Sequence, residues 1–507
     1  MPIASELFIE GTGKVHQDGP APRLFEVTDL LDPEAPLALY SALRRERFPF
    51  LLESVEKSGD RARFSFVGAS PAAVVTVTGR RFAIEICSRG RGLEEVFKER
   101  LAASAVIDGD DGSTISGEIR RGMDLFDLLR SALPVGSCPS KFGRQAFLGG
   151  GIGYLAYDLV GDRIGRPKTS GAPDAKFGVF EESFVYDHLT GKVYLAVAPL
   201  LLAGDDLEDI AAEARDRLKG LHLKEPEDGG LSPLSVEADP AGPFEESVRK
   251  AKEHILAGDI FQAVLSRRTR VRLANPDPII LYRRLREINP SPYTYIFEFE
   301  DQALVGASPE TLFSLSDRIV TTNPIAGTCP RGGSPEEDDL LAAKMLADEK
   351  ERAEHVMLVD LGRNDVRSVS KAGSIKVEDF MSVLRYSHVQ HIETTVRGTL
   401  RDGCDSFDAA RAIFPAGTLS GAPKIRAMEI IDDLEEARRG IYGGGVGYFS
   451  ADGSADFAIA IRSVVIEGDT AVVQAGAGIV ADSDPHREYL ETERKMAAMK
   501  RALGVAA

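Results

Sequence analysis

The 507-residue chain contains no tryptophan and only four cysteines. Cys87, Cys138, Cys329 and Cys404 are scattered without CxxC spacing, which argues against a zinc site or a disulfide framework and fits a reducing cytoplasm. Positive charge is also scarce: 61 Lys and Arg face 79 Asp and Glu, for a net charge of −18. With no Lys/Arg run interleaved with aromatics, that balance disfavours a phosphate-backbone binder, and nucleic acid is not an expected partner. Long apolar runs are missing as well. The most apolar stretch, VYLAVAPLLLAG, is too short to span a bilayer, and MPIASELFIEGTGK has no basic segment followed by an apolar one, so neither export nor a membrane anchor is expected. No GxSxG, GxxxxGK[ST] or HExxH pattern occurs, and the GxG of QAGAG lacks the third glycine and ribose-binding acid of a dinucleotide site.

What is present is a soluble-type composition long enough for two domains. The segment Leu223 to Pro243 concentrates Pro, Gly and acids and reads as a linker, dividing an N-terminal region, 1–240, from a second region, 241–507. IDGDDGSTISGE, around Asp108 to Glu118, reads as a surface loop. GGGIGYLAYD and GGGVGYFSAD occur once in each half, each followed by strand-like text with hairpin turns, LTGK and EGDT. The halves are thus expected to carry similar antiparallel sheets, with packed helices rather than repeated βαβ units: an α+β class. Ser334-Pro335 and Asp484-Pro485 are expected to start helices, and Gly504 to end one.

Those helices carry two acidic doublets, Glu351/Glu354 and Glu488/Glu491. ExxE spacing puts both carboxylates of a doublet on one helical face. Each doublet alone reads as a solvated face paired with neighbouring Lys and Arg; four carboxylates meeting across a cleft would instead call for a hard cation, with Mg²⁺ the natural candidate. Three segments of small residues, PIAGTCPRG, FPAGTLSGAPK and QAGAGIVADSDP, read as loops whose backbone N–H groups, with the hydroxyls of Thr328 and Thr418, suit an anionic ligand or a plain turn. Arg462, in the apolar run FAIAIRSVVI, reads as a buried strand arginine facing either a ligand carboxylate or an internal acid. His391 suits a hydrogen-bonding, acid or purely structural role. The residues by themselves reach only an acidic enzyme binding a small dianionic or carboxylated ligand through Mg²⁺.

Taken together, GDIFQAVLSRR, GASPE, PIAGTCPRG, DEKERAEHVMLVDLGRND, YSHVQH, FPAGTLSGAPK, IRS, QAGAGIVADSDP and EYLETERK resemble the chorismate-utilising enzymes, most closely their anthranilate-forming branch. The resemblance is dense from Pro243 to Leu503 and thinner before it. It implies that family's fold, with antiparallel sheets in a sandwich-like core and helices outside. It also implies Mg²⁺ on Glu354 and Glu491, with Glu351 and Glu488 acting nearby. Tyr442, Arg462 and the backbone of Gly476, Ala477 and Gly478 would hold the enolpyruvyl carboxylate of chorismate, and Gly327, Thr328, Thr418 and Lys495 would complete the cradle. His391 would lie near the departing hydroxyl. Water-adding relatives have a lysine where Gln262 stands, and aminodeoxychorismate synthases a lysine where Ala326 stands, so ammonia addition giving anthranilate is the expected reaction. Glu53, Ser54, Pro292, Tyr293 and Thr294 match that branch's tryptophan-inhibitor pocket, which Val446 and Tyr448 would line, with Thr294 and Cys329 departing from its usual residues. No cysteine sits in a glutaminase nucleophile turn, so ammonia is expected from a glutamine amidotransferase subunit, in a heterotetramer of two large and two small subunits.

Overall fold

The structure is a computed structural model, and it describes residues 21–55, 63–87, 92–133, 135–136, 138–166, 171–198, 207–226, 229–386 and 389–505. The amino-terminal segment and His388 beside the YSHVQH histidine His391 lie outside them. Two large sheets, of 12 and 13 strands, form the frame, and every pairing between the described strands is antiparallel. The α+β class expected from the sequence is what is found. No described helix is long and apolar enough to cross a membrane.

Each sheet is assembled from both sides of the Leu223–Pro243 segment. In the 12-stranded sheet the strand Phe50–Glu53 pairs with Tyr293–Glu298, Glu53 facing Thr294 and Phe50 facing Phe297. In the 13-stranded sheet the two glycine-rich strands, Gly150–Leu155 and Gly445–Ser450, lie side by side, with Gly153 opposite Gly447. A Cβ on Gly153 would sit 1.9 Å from the Lys176 carbonyl oxygen and one on Gly447 2.0 Å from that of Asp456, so both glycines permit tight strand contact. The repeated motif marks an internal two-fold seam.

More of the repeat becomes visible once the strands are aligned. Val67-Gly-Ala-Ser-Pro71 recurs as Val305-Gly-Ala-Ser-Pro309, and the pattern GxDxFDxxR occurs at Gly122–Arg130 and Gly403–Arg411. The ionic contacts across the seam are reciprocal. Arg130, in the helix Leu125–Ala132, holds Asp405 at 2.7 Å and Asp408 at 2.7 Å, while Arg411, in the helix Ser406–Ile413, holds Asp124 at 2.7 Å and Asp127 at 2.6 Å. Asp124 and Asp405 each also cap their own helix in a capping box. Likewise Tyr40 and Arg44 hold Glu298, at 2.6 Å each, while Tyr282 and Arg286 hold Glu53, the latter at 3.1 Å.

Several local expectations need correction. The Asp108–Glu118 stretch is a hairpin, of strands Ala105–Asp110 and Thr114–Ile119, rather than a loop. The linker segment contains an edge strand, Pro233–Ala238. The helix begun by Ser334 ends at Ala347, and a second, Glu349–Val369, starts where the Asp348 carboxylate accepts the N–H groups of Lys350 and Glu351. That new start places the first acidic doublet in the opening turns of its own helix. The last helix, Pro485–Ala502, is capped by Asp484 and followed by Gly504 at φ +81°, as the sequence suggests.

If the ionic cluster is a two-fold unit, Arg130→Ala and Arg411→Ala each cost about 1–2 kcal/mol. Thermal unfolding of the two variants should show midpoints lowered by similar amounts; one silent variant would break the equivalence.

Candidate active site

Two of the three small-residue segments are strands. PIAGTCP forms Ile325–Pro330 against Val389–Thr399, with Ala326 facing Ile392 and Cys329 facing Gln390. Gly327 and Thr328 therefore oppose the single residue His391, a β-bulge that Gly327 makes possible at φ +66°. The bulge aims the Gly327 carbonyl at His391 Nδ1, 2.7 Å away, with the Thr328 hydroxyl 3.1 Å from the same nitrogen. A carbonyl only accepts, so Nδ1 carries the hydrogen and Nε2 is left as an acceptor. Burial lowers the His391 pKa, and the nearby positive charges of Arg462 and Lys495 push the same way, which keeps the ring neutral.

QAGAGI lies in the strand Thr470–Ile479. Its glycines make room for neighbours: a Cβ at Gly476 would sit 2.9 Å from the Tyr442 hydroxyl, and one at Gly478 2.5 Å from Gln262 Nε2. Ala477, between them, is buried and pairs with Leu265. Arg462 is not within a strand. It sits at φ +52° in the junction between the strands Ala455–Ile459 and Ser463–Glu467, donates to the Lys495 carbonyl at 2.7 Å, and lies near Tyr442 and Glu491. Lys495 in turn bonds Glu491 at 2.7 Å and the Gly476 carbonyl at 2.9 Å. Tyr442, Arg462, Gly476, Lys495, His391 and Glu491 thus form one connected group.

The acidic doublets face each other. Burial raises the pKa of Glu354, and the negative charges of Glu351, Glu488 and Glu491 raise it further. Glu351 is raised by burial and by Asp348 and Glu491, and Glu488 by burial and by Glu491. The bulge reaches this group too, because a Cβ on Gly327 would meet Glu351 Oε2 at 3.2 Å. Lys350 approaches Glu354 at 3.8 Å. Among the described residues no three His, Cys, Asp or Glu side chains converge at metal-ligand distance. The donor set still fits a hard divalent cation: four mutually repelling carboxylates, two of them neutralised by lysines here.

One residue escaped the sequence reading. Glu310 ends the GASPE motif, is buried, and accepts the Thr418 hydroxyl at 2.8 Å. Burial pushes its pKa up to about 8, so it holds a proton at neutral pH. An acid ending a short motif carries no sequence signal of its burial.

The residues matched to an inhibitor pocket are also near one another. Glu53 pairs in register with Thr294, whose hydroxyl donates to the Ser291 carbonyl, while the buried Ser54 hydroxyl has no hydrogen-bond partner among the described residues. Pro292 is buried beside Tyr293, whose hydroxyl donates to Asp456 at 2.9 Å. Asp456 faces Tyr448 across the sheet, two positions from Val446.

Residues 138–501 match the chorismate binding enzyme family. The chain is 46% identical to anthranilate synthase component 1 2 of Haloarcula marismortui over 99% of this chain and 95% of that one. It is 48% identical to anthranilate synthase component 1 of Thermococcus kodakarensis over 94% and 98% of the two chains. The crystal structure of anthranilate synthase component I from Streptococcus pneumoniae superposes with a TM-score of 0.72 at 37% identity, covering 88% of this chain and 94% of that one. The chain belongs to the chorismate-binding enzyme family.

The Glu310 carboxyl is neutral when folded and ionises near pH 4.5 when unfolded, so the folded state binds the extra proton between those pH values and loses stability as pH rises from about 4.5 to about 8. Glu310→Gln, which keeps the acceptor for Thr418, should raise the thermal midpoint at pH 8 and lose that advantage by pH 4. Equal midpoints at pH 8 would contradict a buried neutral carboxyl.

Proposed function

We propose that this chain is the chorismate-binding component of an anthranilate synthase, converting chorismate and ammonia to anthranilate, pyruvate and water. The observation that carries the reading is the convergence of the four acids, Arg462, Tyr442 and a protonated Glu310 on one group, in a chain whose relatives at 46% and 48% identity bear the anthranilate synthase name. Glu354 and Glu491, with Glu351 and Glu488 beside them, would hold Mg²⁺. That ion, when bound, supplies positive charge against the ring carboxylate of chorismate. Arg462 and Tyr442 hold the enolpyruvyl carboxylate, with the backbone at Gly476, Ala477 and Gly478 alongside, and Gly327, Thr328 and Thr418 complete the cradle. Lys495, already at Gly476, turns its ammonium toward the same substrate end.

The proton inventory divides the remaining work. Glu310 carries a proton at neutral pH and is the better donor to the hydroxyl leaving ring C4, while neutral His391 orders that end of the cradle through its bonds to Gly327 and Thr328. Ammonia adds at C2 as water leaves, and loss of pyruvate then gives the aromatic ring. Gln262, an amide, cannot act as a base toward water, and Ala326 offers no amine for covalent capture. A separate glutamine amidotransferase, the component 2 implied by the relatives' naming, would deliver the ammonia in a cytoplasmic heterotetramer of two large and two small subunits. Residues 1–240 would contribute Glu53 and Ser54 to a tryptophan pocket completed by Pro292, Tyr293, Thr294, Val446 and Tyr448, while residues 241–507 carry the catalytic groups.

Purified protein given chorismate, Mg²⁺ and ammonium should produce anthranilate fluorescence, with glutamine inert until the partner is added; no anthranilate would sink the reading. Glu354→Ala or Glu491→Ala should cut that turnover at least about 100-fold while tryptophan binding, followed by calorimetry, persists. Turnover should fall as pH rises through about 8, when Glu310 loses its proton, and Glu310→Gln should lower kcat about 100-fold at neutral pH. A rate that is flat through pH 8 in the wild type would reassign the acid.

A further inference from the structure

The Lys424 side chain is 9% exposed where the helix Lys424–Leu434 begins, and its ammonium makes three contacts: Asp365 at 2.6 Å, the Pro415 carbonyl at 2.8 Å and the Ile413 carbonyl at 3.0 Å. Asp365, also buried, lies in the helix Glu349–Val369, three turns beyond Glu354. The two carbonyls belong to the end of the helix Ser406–Ile413 and the turn that leads to Thr418. Arg163, from the first half of the chain, donates to the neighbouring carbonyls of Arg411 and Phe414. Two cations therefore complete the carboxyl end of that helix, where the dipole favours them.

We propose that the Asp365–Lys424 pair positions the Thr418–Glu310 unit relative to the helix carrying Glu351 and Glu354. Asp365 and Lys424 do not touch the substrate cradle; they act through the turn. Three observations converge on this link. Asp365, Thr418 and Glu310 line one cleft. The same helix meets the turn directly, since a Cβ on Gly417 would lie 2.4 Å from Leu361 Cδ2. Thr418, one residue on, donates to Glu310. Without Asp365, Lys424 would be a buried cation facing carbonyls alone, and the turn would resettle against the helix. A shift of about 1 Å at a reacting group is enough to cost about 100-fold in rate. The inference rests on the reading of Glu310 and Thr418 as groups at the reacting end of chorismate.

The test compares the wild type, Asp365→Asn and the double variant Asp365→Leu/Lys424→Met, following loss of chorismate with Mg²⁺ and ammonium, alongside thermal unfolding. Counting chorismate consumed makes the comparison independent of which product forms, and the wild-type product decides the functional reading separately. Asp365→Asn should lower kcat at least tenfold with the KM for chorismate within about threefold, because Arg462, Tyr442 and Gly476 are held by other elements. The double variant replaces both buried charges by apolar groups and should regain a wild-type unfolding midpoint, yet keep the low kcat. The proposal is overturned if Asp365→Asn keeps wild-type kcat per folded enzyme, or if kcat returns together with the midpoint in the double variant, since either result makes the pair merely structural.

Discussion

The two-fold seam is the constraint on which the rest of the structure depends. Each sheet crosses it through one short antiparallel pairing, four register pairs in one sheet and six in the other. Backbone hydrogen bonds over such short lengths define direction and register but contribute little specificity of their own. Specificity comes from the charges placed around them. Arg130 and Arg411 each bridge two aspartates across the seam, and Arg44 and Arg286 each hold a glutamate from the opposite half. Phe126 and Phe407 lie under the guanidinium groups of Arg411 and Arg130, at 5.8 and 5.7 Å. Removing Arg130 would leave Asp405 without its partner and Asp408 with Arg411 alone, and removing Arg411 would do the same to Asp124 and Asp127.

Within the second half, the sheets bring separate segments of sequence to one site. The helix with Glu351 and Glu354 packs on the strand pair that carries the Gly327–Thr328 bulge, and the last helix with Glu488 and Glu491 packs on the strand Thr470–Ile479. Their mutual charge effects require that the sheets hold them rigidly, because like carboxylates left free would separate. Glu310 obeys the same logic. Its neutral state follows from burial, which the Thr418 hydroxyl and the Lys495 charge offset only in part.

Much of this was legible in the residues themselves. Asp484-Pro485 starts its helix and Gly504 ends it because capping is local chemistry that no tertiary contact overrides. The hairpin turns LTGK and EGDT connect paired strands for the same reason. Small-residue segments were harder. PIAGT and QAGAGI read as loops since glycine disfavours strands, but here a glycine is required where a bulge, a tyrosine hydroxyl or an amide needs the space of a side chain. Arg462 reads as a strand residue from its apolar neighbours, and only its left-handed backbone reveals the junction. The family resemblance named most of the candidate site, whereas Glu310 required burial and a partner to be seen, and neither is written in five letters of a motif.

The scaffold is symmetric while its chemistry is not. After Val67-Gly-Ala-Ser-Pro71 the first half places Ala72, where the second half, after Val305-Gly-Ala-Ser-Pro309, places Glu310. Before Ser183 stands Glu182, neutralised by Arg217, whereas before Ser463 stands Arg462, which makes no ion pair among the described residues and donates only to a carbonyl. Glu182 belongs to a regular strand and Arg462 to a left-handed junction. A buried acid, an arginine spared from internal pairing and a strained backbone each cost stability. In a repeated fold the half without them can hold the half with them in place. The first half is accordingly the one whose equivalents are an alanine and a satisfied ion pair, and the second concentrates the groups left for a ligand.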